Sequence, residues 1–204
     1  MPTIAIVGHG PSILNSNLGN IINSYDIVIR QKAISASLVS NAPKDYGTKT
    51  SIICGSYTIK EALFWNSKSK IWVFMDSRHE KIVPTIDTRF TLLPDLCKHW
   101  NSLYRQLRSS NYNRNKQMTT HATSSELGHN HMSCGLHTII YACDILKPEK
   151  ISLFGFDNIK NGDFTWSVTR GKSWNEYPDH RWDTEKEMLK LISNNYYVNF
   201  EFIP

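Results

Sequence analysis

The sequence predicts an α/β protein: a single Rossmann-like domain with a mostly parallel sheet flanked by helices. Short apolar runs alternate along the chain with segments whose apolar residues recur at helical spacing, which is the order typical of βαβ units. The first run, Thr3–Val7, is continuously apolar, as expected of a strand covered on both faces. The 204 residues, 40% of them hydrophobic, suffice for one core. We therefore predict one domain over residues 1–204.

Composition and charge narrow the function classes. The net charge of +5 and a pI near 9.0 favour an anionic partner such as a nucleotide donor, an acidic glycan or a nucleic acid. No apolar run reaches the length of a membrane span, and the first strand starts almost at Met1, so neither an anchor nor a signal peptide is expected. None of the four cysteines forms a CxxC pair, which predicts free thiols in a reducing, cytoplasmic compartment. These cysteines are Cys54, Cys97, Cys134 and Cys143.

A glycine-rich turn follows the first strand. It consists of Gly8, His9, Gly10, Pro11 and Ser12. Glycines permit a tight turn, proline suits a first helical position, and the backbone N–H groups around Ser12 would face an anion. The helix after it is predicted over Ser12–Ile22. Because the dinucleotide fingerprint GxGxxG is incomplete here, both phosphate contact and an ordinary βα turn remain open.

The second strand, Asp26–Arg30, ends in a basic pair. Arg30 and Lys32 flank Gln31 at its carboxyl end, where ligands of open α/β sheets bind. These two cations could therefore contact a ligand; the alternative is that they are only solvated at the edge of the sheet.

The middle of the chain continues the alternation. Residues 35–49 are predicted as a polar loop, followed by a strand at Thr50–Cys54, a helix at Ile59–Trp65, a strand at Ile71–Met75 and a helix at Leu93–Leu107. The aromatic stripe of the last helix is predicted to be core rather than a binding face.

Residues Arg108–His131 are predicted to form a mobile loop, because they are polar and rich in Ser, Asn, Thr and His. His121, His129 and His131 raise the question of a zinc site. No acidic or cysteine ligand accompanies them at a settled spacing, so we expect a loop and no metal.

The segment Ser133–Asp157 combines a helix start with a strand end. Ser133 can cap the helix and Gly135 permits close approach of a ligand. A buried strand then ends in Gly155, Phe156 and Asp157. An ordinary αβ unit and a ligand site are both consistent with this pattern.

Residues 158–179 are predicted as a loop in which aromatic residues, among them Trp174 and Tyr177, alternate with cations. Such a loop suits the stacking of a sugar or a base.

His180 opens the next predicted helix, and a closing strand is predicted at Tyr196–Phe202. A histidine there is a candidate general base, with a capping or packed histidine as the alternative.

Three sets of motifs, in order, resemble the sialyltransferase superfamily. The first comprises IAIVGHGPSI, DIVIRQKA and DYGTKTSI; the second is SCGLHTIIYACD with ISLFGFD; the third is His180, four residues, then Glu185. The animal-type family is most similar, and GHGPS also resembles the turn of bacterial sialyltransferases. His9 stands where the family usually has asparagine, and Gln31 or Lys32 replaces a second asparagine.

The resemblance implies a variant GT-A/GT-B-type glycosyltransferase fold and a function. An inverting, metal-independent enzyme would transfer a sugar from a CMP-activated donor to an acceptor hydroxyl, with His180 as general base and Glu185 in a supporting role. The donor would be bound by Gly8, His9, Gly10, Pro11, Ser12, Arg30, Gln31, Lys32, Ser133, Cys134, Gly135, Gly155, Phe156, Asp157, Trp174 and Tyr177.

Three function hypotheses remain at this point. The first is a sialyltransferase-like enzyme that acts on a glycan. The second is an enzyme of the same fold that adds a sugar to a hydroxymethylated base of DNA, and the third is a nucleotide-binding module without turnover. The sequence predicts no particular oligomeric state. It does predict that the turns at Gly8–Ser12 and Ser133–Gly135 converge with His180 on one cleft.

Overall fold

The computed structural model describes residues 1–31, 35–55, 70–73, 90–92, 97–116, 132–161 and 181–204. Seven strands in these residues form one sheet with the order β5-β4-β3-β2-β1-β6-β7. Each pair of neighbours is parallel, so the predicted α/β class with a parallel sheet is confirmed. The strands are β1 (Ile4–Val7), β2 (Ile27–Gln31), β3 (Ile52–Gly55), β4 (Lys70–Val73), β5 (Phe90–Leu92), β6 (Lys150–Phe154) and β7 (Asn199–Ile203).

The strand order reverses at β1. From β1 the chain moves outward through β2, β3, β4 and β5, and then returns to place β6 on the other side of β1. In open α/β sheets ligands bind at such a switch point, outside the carboxyl ends of the strands. The turns after β1 and β6 therefore lie where a ligand site is expected.

Helices cover both faces of the sheet. Those in the described residues are α1 (Gly19–Ser24), α2 (Ser35–Asn41), α3 (Pro43–Tyr46), α4 (Cys97–Lys116), α5 (Cys134–Tyr141), α6 (Asp157–Asn161) and α7 (Trp182–Tyr196). A 3₁₀ turn at Pro11–Ile13 follows β1, and a π-helical turn at Ala142–Leu146 extends α5.

The two faces carry separate cores because side chains alternate along each strand. Ile4 and Ile6 of β1 belong to the larger core, which also takes residues from α4, α5 and α7. Ala5 and Val7 belong to the smaller core, which takes residues from the 3₁₀ turn, α1 and α3. The predicted aromatic stripe lies in the larger core at Trp100 and Tyr104, as expected.

The helix predicted over Ser12–Ile22 is broken into the 3₁₀ turn and α1. Asn15 and Asn17 between them have positive φ angles of 58° and 57°, which a helix cannot contain. The carboxylate of Asp45 stabilises this break, because it accepts the backbone N–H groups of Asn15 at 2.9 Å and Asn17 at 3.0 Å. A contact from 30 residues away therefore overrides local helix preference.

The polar loop predicted over residues 35–49 is also wrong, since α2 and α3 occupy most of it. Pro43 begins α3, a position that needs no N–H donor. Gly47 ends α3 with a φ of 65°. In the sequence, a proline and a glycine at this spacing indicate a loop, but in the structure they lie at the two ends of a short helix.

The predicted mobile loop Arg108–His131 is wrong in its first part, because residues 108–116 continue α4. Hydrogen bonds from Asn111 help to hold this part of the helix. Buried Asn111 donates through Nδ2 to Thr184 Oγ1 at 3.2 Å and to Glu187 Oε2 at 3.3 Å, both on α7. Polar composition therefore does not mean a loop here.

Some predicted elements lie outside the described residues. They are the helix Ile59–Trp65, the end of the strand Ile71–Met75, the rest of the first predicted loop at 117–131, and residues 162–179 of the second, whose residues 158–161 belong to α6. Among the helices of the described ranges, none is both long enough and apolar enough to cross a membrane.

Candidate active site

The turns that follow β1 and β6 are joined by backbone hydrogen bonds. Val7 pairs with Phe154 at the end of the ladder. Beyond it, the N–H of Gly8 donates to the carbonyl of Phe154 at 2.7 Å, and the N–H of Gly10 donates to the carbonyl of Gly155 at 2.8 Å. The two turns thus form one continuous structure at the switch point of the sheet.

Close contact between the turns explains two of the glycines. Gly155 has a φ of 65°, a conformation that other residues rarely adopt. A Cβ atom on Gly10 would lie 1.9 Å from Asp157 Oδ2 and 2.7 Å from the carbonyl oxygen of Gly155. No side chain fits at Gly10 unless the turn after β6 moves away.

The amide groups predicted to face a donor phosphate are already engaged within the protein. Besides the Gly10 bond, the N–H of Ser12 donates to Asp157 Oδ2 at 3.2 Å. An anion does lie at the start of the 3₁₀ turn, but it is the protein's own carboxylate. A phosphate that took these N–H groups would have to replace Asp157, so a donor role of Gly10 and Ser12 stays a prediction that requires this turn to open. Pro11 has no N–H to offer.

Arg30 also differs from its predicted role. It is buried on the face of α1 and α3, where Nη2 donates to the carbonyls of Tyr46 at 2.7 Å and Lys49 at 2.9 Å, and Nε donates to Thr50 Oγ1 at 3.0 Å. Burial lowers the pKa of its guanidinium to about 10, so the group stays charged at neutral pH. Arg30 supports the end of α3 and the residues after it, a structural role that differs from its predicted contact with the donor.

Gln31 lies on the other face of the sheet, next to the start of α5. Its Nε2 is 3.1 Å from the position of a Cβ on Gly135, and the ring of Phe156 is 3.0 Å from the same position. The ends of β2 and β6 therefore meet the first turn of α5. Two predicted donor-binding residues, Gln31 and Phe156, thus lie beside a third, Gly135.

Ser133 joins α5 to α7. Its Oγ accepts the N–H of Leu136 at 3.2 Å and so caps α5, as predicted. Glu185 of α7 accepts both the N–H of Ser133, at Oε1, and its hydroxyl, at Oε2, each at 2.6 Å. In this arrangement the Ser133 hydroxyl is engaged with Glu185, and Cys134 and Gly135 form the first turn of α5.

Glu185 is fully buried. Removal from water raises the pKa of its carboxyl to about 8, although the two hydrogen bonds from Ser133 lower it. Burial raises the pKa of the nearby Tyr104 phenol on α4, and the charge of Glu185 raises it further. The carboxyl of Glu185 joins α7 to the start of α5 through its two contacts with Ser133.

The sequence analysis did not single out His137, which contacts Ser133 at the start of α5. Its Nδ1 lies 2.9 Å from the carbonyl oxygen of Ser133, one turn earlier on α5. Because a carbonyl only accepts, Nδ1 carries the proton. The four-residue spacing between Ser133 and His137 on a capped helix was the available signal.

Several predicted site residues lie outside the described residues. They are Lys32, Trp174, Tyr177 and His180, together with His121, His129 and His131 of the zinc question. The chain resumes at Arg181, the N-cap residue of α7, directly after His180. Within the described ranges, no three His, Cys, Asp or Glu side chains are grouped as a metal site would need.

Two further features of the described residues bear on where a ligand could bind. A pocket of about 410 Å³ lies at the opposite edge of the sheet, beside the amino ends of β1 and β6, where Thr3 and Lys150 line it. Arg108 is 8% exposed, so its side chain offers little surface to a nucleic acid.

The fold is an α/β fold in which the turns after β1 and β6 meet at the switch point of a parallel sheet, where ligands of such folds bind. The model of glycosyltransferase family 29, the sialyltransferases, matches residues 2–197. The chain belongs to this family and is a glycosyltransferase. No curated protein matches it by sequence.

Solved structures share the fold. One is the crystal structure of a mammalian sialyltransferase in complex with Gal-beta-1-3GalNAc-ortho-nitrophenol; it matches with a TM-score of 0.59 and 12% identity over 98% of this chain and 68% of that one. Another crystal structure of a mammalian sialyltransferase matches with a TM-score of 0.60 and 14% identity, with the same coverage.

Proposed function

We propose that the protein is an inverting, metal-independent glycosyltransferase that uses a CMP-activated sugar, a glycan hydroxyl as acceptor and His180 as general base. One observation carries the proposal: Glu185 bonds Ser133, which ties the start of α7 to the start of α5. His180 precedes the N-cap residue of α7, so this contact supports a site shared by His180 and the turn at Cys134–Gly135.

The donor phosphate is assigned to the amino end of α5. The first N–H groups of a helix have no acceptor within it, and the helix dipole favours an anion there. Cys134 and Gly135 provide that end, beside Gln31 and Phe156. As the bond to the sugar breaks, negative charge grows on the phosphate oxygen, and fixed backbone dipoles stabilise it without a divalent ion.

His180 is assigned to the acceptor. The acceptor oxygen attacks the anomeric carbon from the side opposite the phosphate, and the electron pair of the broken C–O bond passes to the phosphate. One displacement inverts the anomeric centre. The attacking hydroxyl loses its proton, and a neutral imidazole with a pKa near physiological pH is suited to take it.

Nucleotide binding tests the donor assignment. A ligand that binds only the folded state stabilises it by about 2.7 kcal/mol at a concentration of 100 times Kd. We expect CMP to raise the melting temperature clearly, and UMP and GMP at equal concentration to raise it little. A preference for UMP would contradict the proposal. Gln31→Ala is expected to weaken the CMP effect, while Glu149→Gln, an exposed change at the opposite edge, should leave it unchanged.

A further inference from the structure

The polar atoms of Ser133 have a nearly complete set of partners. Its N–H donates to Glu185 Oε1, and its carbonyl accepts the N–H of His137 at 3.1 Å and Nδ1 of the same residue at 2.9 Å. Its Oγ accepts the N–H of Leu136 and lies 2.6 Å from Glu185 Oε2. One hydrogen must lie between these two oxygens, and either can supply it.

The source of that hydrogen decides what the Ser133 hydroxyl can do. If Glu185 is ionised, its oxygens only accept, and the hydroxyl must donate to Oε2. If Glu185 is neutral, the proton on Oε2 is donated to Ser133 Oγ. The hydroxyl hydrogen is then available to another acceptor beside the first turn of α5, where the donor is assigned.

Burial favours the neutral form. Glu185 has 0% exposure, and removal of a carboxylate from water raises its pKa, here to about 8. The charges that act on the neighbouring Tyr104 of α4 are those of Glu185, of Arg108 on α4 and of Arg181 on α7, and His137 of α5 contacts the carbonyl of Ser133. Arg181 pairs with Asp183 at 2.6 Å, so these two charges largely offset each other.

The proposed reaction favours the same form. A carboxylate directly behind the amino end of α5 would repel the phosphate assigned to that end. A neutral carboxyl does not repel it and frees a hydrogen-bond donor.

We propose that Glu185 is a neutral acid in the working enzyme: it donates from Oε2 to Ser133 Oγ, and the Ser133 hydroxyl then donates to the anionic donor. The inference rests on the proposed function only for the identity of that ligand. Glu185 is thus a positioning residue, and the protonation state of its carboxyl sets the affinity for the donor.

The first test is direct and needs no ligand. In protein labelled with ¹³C at the glutamate side-chain carboxyl, the signal missing from Glu185→Gln belongs to Glu185. We expect this signal to show a neutral carboxyl at pH 7 and to titrate above that pH. A signal of the ionised form at pH 6 would overturn the inference, whatever nucleotide the protein binds.

The second test is the pH dependence of CMP affinity. The wild-type Kd should rise with pH once Glu185 ionises, approaching tenfold per pH unit. In Glu185→Gln the amide accepts from the Ser133 N–H and donates to its Oγ, as a neutral acid does, so the alkaline rise should be lost. The matched change Glu149→Gln should keep it. Equal alkaline rises in the wild type and Glu185→Gln would overturn the inference.

Ser133→Ala tests the hydroxyl separately. At pH 6.5 we expect a several-fold weaker CMP affinity, and an unchanged affinity would overturn the role given to the hydroxyl. If CMP binds neither the wild type nor any variant at any pH, the proposed donor is wrong, while the carboxyl signal still decides the protonation state.

Discussion

Asp157 accepts the backbone N–H of Ser12, 145 residues earlier in the chain, and its Oδ2 lies against Gly10. The turn after β1 is therefore closed by the turn after β6 rather than open to a phosphate. A glycine-rich turn after the first strand of an α/β protein usually indicates a phosphate site. Here the glycines permit two turns to pack together at the switch point of the sheet.

Replacement of Gly10 by alanine should destabilise the protein. The added methyl overlaps Asp157 Oδ2 and the carbonyl of Gly155, so one turn must shift, at a cost of about 1–3 kcal/mol in the free energy of unfolding. Urea denaturation measures this cost. Combination with Asp157→Ala removes the closer overlap and should recover part of the loss. A Gly10→Ala protein as stable as the wild type would show that the turns do not pack as described.

Arg30 should matter for stability and not for nucleotide affinity. Arg30→Met leaves the buried carbonyls of Tyr46 and Lys49 without their charged donor, and we expect a loss of about 2–3 kcal/mol. Urea denaturation gives the stability, and the Kd for CMP at a temperature where the variant is folded gives the affinity. A large rise in Kd with unchanged stability would restore Arg30 to the donor site.

The stability of the protein should depend on pH through Glu185. Burial raises the pKa of Glu185 from 4.5 in the unfolded chain to about 8 in the folded protein. Between pH 4.5 and pH 8, the folded state therefore holds a proton that the unfolded state has lost. The stability this gives is fully present below pH 4.5 and is lost as pH rises through 8.

Relative to Glu185→Gln, the free energy of unfolding of the wild type should therefore fall by about 1.4 kcal/mol per unit between pH 5 and pH 7. Urea denaturation of both proteins at pH 5, 6 and 7 measures this slope. A difference that does not change with pH would mean that Glu185 is ionised in the folded protein.

Features set by local sequence could be predicted. The buried strand β1 reads as a continuous apolar run, and Ser133 caps α5 through the N–H of Leu136, three residues away. Local spacing is enough to find both.

Features set by distant contacts could not be predicted. The helix after β1 is broken because Asp45 binds two backbone N–H groups 28 and 30 residues away. The structural role of Arg30 could not be predicted because its partners are the carbonyls of Tyr46, at the end of α3, and Lys49, just after it, and α3 itself was not predicted. The pairing of Ser133 with Glu185, 52 residues apart, becomes visible only when α5 and α7 are packed.

The rate of sugar transfer by His180→Ala tests the central claim most directly. With a CMP-activated sugar and a glycan acceptor, loss of the general base should slow transfer by about 10²–10⁴-fold. The Kd for CMP and the free energy of unfolding should stay close to those of the wild type, because neither is assigned to the imidazole. A His180→Ala protein that transfers the sugar at nearly the wild-type rate would contradict the account.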